Sequence, residues 1–221
     1  MKLTVFDLDH TLLAGDSDVL WCSFLLRRGI LDRAIFEPRN VAMQAAYRAG
    51  SVSPREFCEF YIGTLAGRTV AEWEPLRQAF LHDEIVPRFP AAALALVRRH
   101  RDAGERIVLT TATNRFLTEL TAAHLGIEHL IATDCEIGPD GRFSGRAQGT
   151  LNMRDGKVIR LNGWLTEQGL SLAGLDSTAY SDSINDLPLL LAVRHPVAVD
   201  PDPLLAAEAA ARGWPVLHLH D

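Results

Sequence analysis

Apolar and polar positions fall into two regimes along the chain. From about residue 90 onward, short apolar runs alternate with segments whose apolar positions recur at helical spacing. That alternation predicts a parallel sheet with covering helices. Leu3-Thr4-Val5-Phe6 reads as the first strand. Ile107 to Thr110, Leu130 to Thr133, Thr178 to Tyr180, Pro196 to Val199 and Val216 to Leu219 read as later ones. Helices are expected from Pro90 to about Ala103, from an Asn114 cap to about Leu125, from Lys157 to about Gln168, from Asp186 to Ala192 and from about Pro203 to Arg212. Pro139-Asp140-Gly141-Arg142 is a turn joining two short strands in a hairpin.

Residues 14–87 show helical periods and no convincing strand: Val19 to Arg28, Leu31 to Ala49, Ser53 to Leu65 and Val70 to Leu81. Ser53 and Pro54, with Glu56 close behind, make a helix-start signature. The expected architecture is α/β. A Rossmann-like parallel sheet with helices on both faces forms from residues 1–13 and 88–221. An all-helical cap, residues 14–87, is inserted after strand 1 and sits over its carboxyl end.

Composition narrows the classes. The chain has 221 residues, 48% hydrophobic and 23% charged, with a net charge of −6. That balance argues against nucleic acid or an anionic membrane as partner. There is no signal-peptide layout and no apolar run of membrane-spanning length. Cys22, Cys58 and Cys135 are odd in number and far apart, which suits a reducing cytoplasm better than a disulfide framework. Lys2 and Lys157 are the only lysines in an arginine-rich background. A site wanting a compact point charge would account for Lys157, and so would chance.

The candidate chemistry gathers where strands end. Asp7 and Asp9 stand two apart at the end of strand 1, so both can face one pocket. Carboxylates that close cost free energy unless a cation, a proton or a reaction uses them. Thr111 follows the second strand, Lys157 opens a later helix, and Asp182-Ser183-Ile184-Asn185-Asp186 follows the Tyr180 strand. A parallel sheet brings such ends together. Carboxylates suit a hard cation such as Mg²⁺, and the hydroxyl and ammonium suit phosphate oxygens. Each residue also has a structural reading: a helix cap for Asp9 and for Asp186, a turn residue for Asp182, a turn hydroxyl for Thr111, a solvated surface side chain for Lys157. Those readings would have to hold together at four strand ends.

At these residues the chain resembles the haloacid dehalogenase superfamily of phosphohydrolases, in its phosphoserine-phosphatase-like branch. The resemblance runs through Asp7-Leu8-Asp9-His10-Thr11-Leu12, Val108 to Thr113, Gly156-Lys157-Val158 and Tyr180 to Pro188, and covers nearly the whole chain. It implies that Asp7 attacks phosphorus and becomes an aspartyl-phosphate, and that Asp9 protonates the leaving oxygen and then activates water. It further implies Mg²⁺ held by Asp7, the Asp9 carbonyl and Asp182, with Asp186 on the metal or just behind it. Thr111 and Lys157 would grip the phosphoryl group, with Ala112 beside them. The branch carries a Glu after the first motif that reads a substrate amine; Asp16 stands at that place. Ser181-Asp182-Ser183 and Thr111-Ala112-Thr113 depart from the branch's glycine-rich patterns. The expected enzyme is a Mg²⁺-dependent phosphomonoesterase on a small, amine-bearing metabolite, phosphoserine-like or histidinol-phosphate-like. Alternatives are a receiver-like phospho-acceptor module, which is shorter and lacks the insert, and a dehalogenase, which does not need Asp9.

Other features carry less. Gly149 to Lys157 fails the P-loop spacing. His218 and His220 read as an exposed terminal strand rather than a metal site. Trp21, Trp73, Phe57, Phe60 and Tyr61 could wall a cationic substrate or pack the cap. Arg39, Arg48 and Arg55 could meet a substrate carboxylate or lie on a solvated face.

Overall fold

Strand β1 (Lys2–Asp7) lies at the middle of the sheet and decides what surrounds the site. The computed structural model describes residues 1–220, apart from the side chain of Arg48. Along β1, Leu3 and Val5 enter one apolar core while Phe6, and Leu8 just beyond, enter the other. This is the period-two alternation of a strand buried on both faces. Asp7 continues the Leu3–Val5 side.

β1 pairs in parallel with β2 (Arg106–Asn114) on one side and β5 (Asp176–Ser181) on the other. The sheet is completed by β3 (His129–Ile137), β4 (Phe143–Gln148), β6 (His195–Val199) and β7 (Val216–Leu217), in the order β4-β3-β2-β1-β5-β6-β7. All neighbours are parallel except the β3–β4 hairpin. After β1 the chain builds outward through β2 and β3, and later returns to β1's other edge with β5. The crevice at the β1–β5 carboxyl ends is therefore the topological switch point, where open α/β sheets bind ligands.

The first four α-helices after β1 are α1 (Ser17–Arg27), α2 (Arg33–Arg48), α3 (Pro54–Ile62) and α4 (Val70–Phe80). The signature at Ser53 is a reciprocal cap: the Ser53 hydroxyl accepts from the Glu56 amide at 3.2 Å, and the Glu56 carboxylate accepts from the Ser53 amide at 2.7 Å. Thr69 and Glu72 repeat it at α4. Trp21 and Trp73 are buried with Phe24 and Phe80 in an aromatic cluster, so these two rings are packing. The remaining helices are α5 (Ala91–Asp102), α6 (Arg115–His124), α7 (Asp155–Glu167), α8 (Leu187–Ala192) and α9 (Pro203–Arg212).

Two of the boundaries that differ from the sequence reading bear on the site. β2 continues through Thr111-Ala112-Thr113 to Asn114, with a register shift over that stretch, because its end packs against the residues that flank the site. Lys157 lies inside the first turn of α7, not at its first residue.

Candidate active site

The site begins with one buried ammonium between two buried carboxylates. Lys157 Nζ donates to Asp7 Oδ1 at 2.6 Å and to Asp186 Oδ2 at 2.5 Å, and the Ser181 hydroxyl donates to the same Asp186 oxygen at 2.7 Å. Burial alone would lower the Lys157 ammonium, but Asp186 and Asp7 hold it above its ordinary value. It is a fixed cation.

The approach of α7 depends on two backbone features. Arg154 has φ of 53° just before the helix. At Gly156, a Cβ would stand 2.0 Å from the Leu151 carbonyl oxygen, so no side chain fits. Asn152 ties the same segment to the sheet, donating to the Thr111 and Ile131 carbonyls at 2.9 and 2.7 Å.

Thr11 joins the next carboxylate. Its hydroxyl lies 2.8 Å from Asp7 Oδ2 and 3.0 Å from Asp182 Oδ1, and accepts from the Asp182 amide at 3.1 Å. A hydroxyl carries one proton, so it cannot satisfy both acids at once. Burial pushes Asp7 up to about 6, against the pull of Lys157 and aided by the charges of Asp186 and Asp9; burial and then the charge of Asp7 push Asp182 up to about 8. His220 reaches the same loop: its Nε2 lies 3.0 Å from the Thr11 carbonyl oxygen, while His218 lies 3.0 Å from Asp200. The terminal histidines are separate supports rather than a pair.

Asp9 belongs to a second network. Its Oδ1 accepts from the Ser17 amide at 2.8 Å and from the Ser17 hydroxyl; its Oδ2 accepts from Thr113 at 2.9 Å and Thr111 at 3.2 Å. Burial, and then the charge of Asp16, raise its carboxyl above the ordinary range. Asp18 stands beside it, pushed well up by burial and by Asp16 and Asp9. The α1 helix thus delivers Ser17 and Asp18 to the strand ends, capped by Asp16, whose Oδ1 accepts from Val19 at 2.9 Å.

A cavity of about 270 Å³ opens onto these groups, with Asp7, Asp9, Lys157, Asp182 and Asp186 in its wall together with Asp16 and Ala112. Thr111, expected to face substrate, is fully buried; Thr113 lines the cavity in its place while Thr111 holds Asp9 from behind. Sequence reading missed the parts played by Thr11, Ser17, Thr113 and Ser181. Thr11, Thr113 and Ser181 lie inside the motifs, whereas Ser17 carried no local signal. Arg39 stacks near Phe60, and Arg55 binds the carbonyls of Ala147 and Gly149, so neither meets the cavity. The Arg48 side chain lies outside the described residues.

Among the described residues no helix is long and apolar enough to cross a membrane. The sequence matches the haloacid dehalogenase-like hydrolase family over residues 4–191. It is 38% identical over 218 residues to a histidinol-phosphatase of Neisseria meningitidis serogroup C (strain 8013), covering 98% of each chain. A crystal structure of a protein of unknown function from Bordetella pertussis Tohama I superposes with a TM-score of 0.95 at 44% identity, over 99% of this chain and 98% of that one. A substrate-bound phosphoserine phosphatase shares the fold, with a TM-score of 0.69 at 15% identity over 100% of this chain and 93% of that one. The chain belongs to the haloacid dehalogenase-like hydrolases, on the branch whose members carry phosphatase names, and is an enzyme of that class.

Proposed function

We propose that the chain is a divalent-metal-dependent phosphomonoesterase acting through Asp7, with Mg²⁺ as the metal and a small, amine-bearing phosphate ester as substrate. The observation that carries this reading is the shared Thr11 hydroxyl, whose single proton lies between the buried Asp7 and the half-buried Asp182 and cannot serve both carboxylates. A cation between them would offset the burial that disfavours charge on both and the repulsion by Asp7 that raises Asp182 further. Among the described residues no three His, Cys, Asp or Glu side chains form a complete metal cage. Mg²⁺ does not ask for one: it commonly takes one or two carboxylates and fills its octahedron with waters and phosphate oxygens. Asp7 and Asp182 would hold it, with the Asp9 backbone carbonyl. Bound there, the ion would neutralise charge on the phosphoryl oxygens.

The residues themselves divide the chemistry. Asp7 forms the bond to phosphorus as the ester P–O bond breaks, giving an aspartyl-phosphate. The raised Asp9 carboxyl supplies a proton to the departing oxygen, then as carboxylate takes one from the water that cleaves the intermediate. Lys157 holds Asp7 and offers positive charge to the transferring group. Asp186 and Ser181 act through Lys157. Helices within residues 14–87 would serve as a cap, with Asp16 at its entry to meet a substrate amine. The three free cysteines fit a reducing, cytoplasmic setting.

Phosphate release from a panel of small phosphomonoesters, with and without Mg²⁺, tests the reading. Activity is expected only with the metal. The Asp7→Asn variant is expected below a few per cent of wild type, and quenched wild-type enzyme is expected to carry phosphate on Asp7 by mass spectrometry. Turnover after exhaustive chelation, or an active Asp7→Asn protein shown free of deamidation, would refute it.

A further inference from the structure

The stretch after α9 returns to the first motif. β7 runs beside β6, and beyond it Leu219 is buried in the core on the Phe6 side of the sheet while His220 meets the loop after β1. His220 Nε2 donates to the Thr11 carbonyl at 3.0 Å; a carbonyl can only accept, so Nε2 carries the proton. Thr11 is fully buried, so that carbonyl needs a partner in place of water. The Thr11 hydroxyl is the one shared by Asp7 and Asp182.

The tail is seated by a turn that also seats the Asp182 loop. Asp200, just past β6, has φ of 39°, a left-handed conformation that is costly for a residue with a Cβ. Its contacts hold it there. The Asp200 amide donates to the Leu217 carbonyl at 2.9 Å, its Oδ2 accepts from the Leu219 amide at 2.8 Å, and its Oδ1 lies 3.0 Å from His218 Nδ1. Two residues on, the Asp202 amide donates to the Asp182 carbonyl, and Asp202 Oδ2 accepts from the Ile184 amide, both at 2.8 Å. The Asp182 amide donates in turn to the Thr11 hydroxyl at 3.1 Å. The contacts close a circuit: Thr11 to Asp182, Asp182 to Asp202, Asp200 to Leu219, His220 back to Thr11.

We propose that His220 is a positioning residue for the active site: by holding the Thr11 carbonyl it sets the Thr11 hydroxyl between Asp7 and Asp182, and Asp200 seats His220 for that contact. The proposal rests on the phosphomonoesterase reading for what the site does, and adds to it a part of the chain that lines no wall of the catalytic cavity. The turn that carries Thr11 does not fix itself. The amides of Thr11, Leu12 and Leu13 converge on the Leu8 carbonyl at 3.3, 3.0 and 2.9 Å. A carbonyl oxygen has two lone pairs, so three donors share it imperfectly. The His220 contact supplies the anchor that the turn lacks and sets the plane of the Thr11–Leu12 peptide.

The test compares His220→Ala, which removes the donor, with His220→Gln, which keeps an N–H at the end of the side chain. In chelated protein, amide hydrogen exchange read by NMR is expected to quicken at Asp182 by about tenfold in His220→Ala, the scale of one buried hydrogen bond, and to return toward wild type in His220→Gln. The amides of Val5 and Val108, in the middle of the sheet, are expected to stay as they are. Mg²⁺ affinity by calorimetry, and kcat on p-nitrophenyl phosphate at saturating Mg²⁺, are expected to fall by a similar factor with KM for the ester unchanged. Asp200→Gly keeps the left-handed turn and removes the carboxylate. It is expected to match His220→Ala, and the double variant to be no worse than either single one, because both break the same circuit. Unchanged exchange at Asp182 in His220→Ala, a Gln variant as impaired as the Ala variant, or additive losses in the double variant would overturn the proposal. So would a fall in Tm with every site readout at its wild-type level, which would reduce the tail to the packing of Leu219. Should wild type neither bind Mg²⁺ nor hydrolyse the ester, the phosphomonoesterase reading fails, and exchange at Asp182 still decides whether His220 holds the Thr11 hydroxyl.

Discussion

Replacing Asp182 with asparagine is expected to make the metal-free protein more stable at pH 8, although it removes a residue from the site. Asp182 rises from 3.8 to about 8 because burial and then Asp7 disfavour its charge. Between those values the folded protein keeps a proton that the unfolded chain has released, so folding stability falls as pH rises across that window. At about 1.4 kcal/mol for each unit, the charged form costs on the order of 5 kcal/mol. Asparagine has nearly the same shape, keeps an oxygen for the Thr11 hydroxyl and carries no charge. For a chain of this length about 1 kcal/mol moves Tm by roughly 2–4 °C, so a rise of about 10 °C is expected at pH 8. At pH 4 the wild-type carboxyl is itself protonated in the fold, and the difference is expected to close. Differential scanning calorimetry of chelated wild-type and Asp182→Asn proteins at pH 4, 6 and 8 measures this. Adding Mg²⁺ at pH 8 is expected to stabilise wild type and to leave the variant nearly unmoved. An Asp182→Asn protein that melts at or below wild type at pH 8, or a difference independent of pH, would show that the repulsion does not govern the site.

Three other outcomes follow from the same geometry. Asp9→Asn is expected to lower kcat by about 10²–10⁴, the usual contribution of acid–base catalysis, with Mg²⁺ affinity unchanged; steady-state kinetics against metal titration separates the two. Gly156→Ala sets a methyl 2.0 Å from the Leu151 oxygen, so α7 must shift and Lys157 with it; a lower Tm and a loss of turnover are expected together, and a variant normal in both would mean the segment adapts freely. Asp16→Asn is expected to cost about 10–100-fold in kcat/KM for an amine-bearing ester, the scale of a charge-assisted hydrogen bond, and little for an aryl phosphate; equal losses on both would reduce Asp16 to its capping of α1.

What could be read from the sequence was what depends on local order. The alternation of Leu3, Val5 and Phe6 gave the central strand, Ser53 and Glu56 gave a helix start, and Pro139 to Arg142 gave the hairpin turn. The acids and Lys157 were visible because strand ends of a parallel sheet converge. What stayed hidden depends on sharing. No pattern marks Thr11 as the one hydroxyl between Asp7 and Asp182, since Asp182 is 171 positions away. Thr111 and Thr113 are the same residue type two apart, and only the register shift at the end of β2 decides which faces the cavity and which lies behind Asp9. Asp16 had two readings, and its position at the head of α1 and in the cavity wall is compatible with both.

The order of the strands also fixes when the site can exist during synthesis. β1 emerges first yet stands in the middle of the sheet, and its partner β5 comes near the end of the chain. At 5–20 residues per second, the stretch between Thr11 and Asp182 takes roughly ten to thirty seconds to leave the ribosome. Until β5 emerges Asp7 lacks its neighbouring acid, and one edge of the central strand is open. Helices α1 to α4 are the next residues out and can cover the Phe6 side at once. A nascent chain stalled before β5 would hold those helices packed on β1 and β2, and have no place to bind a metal.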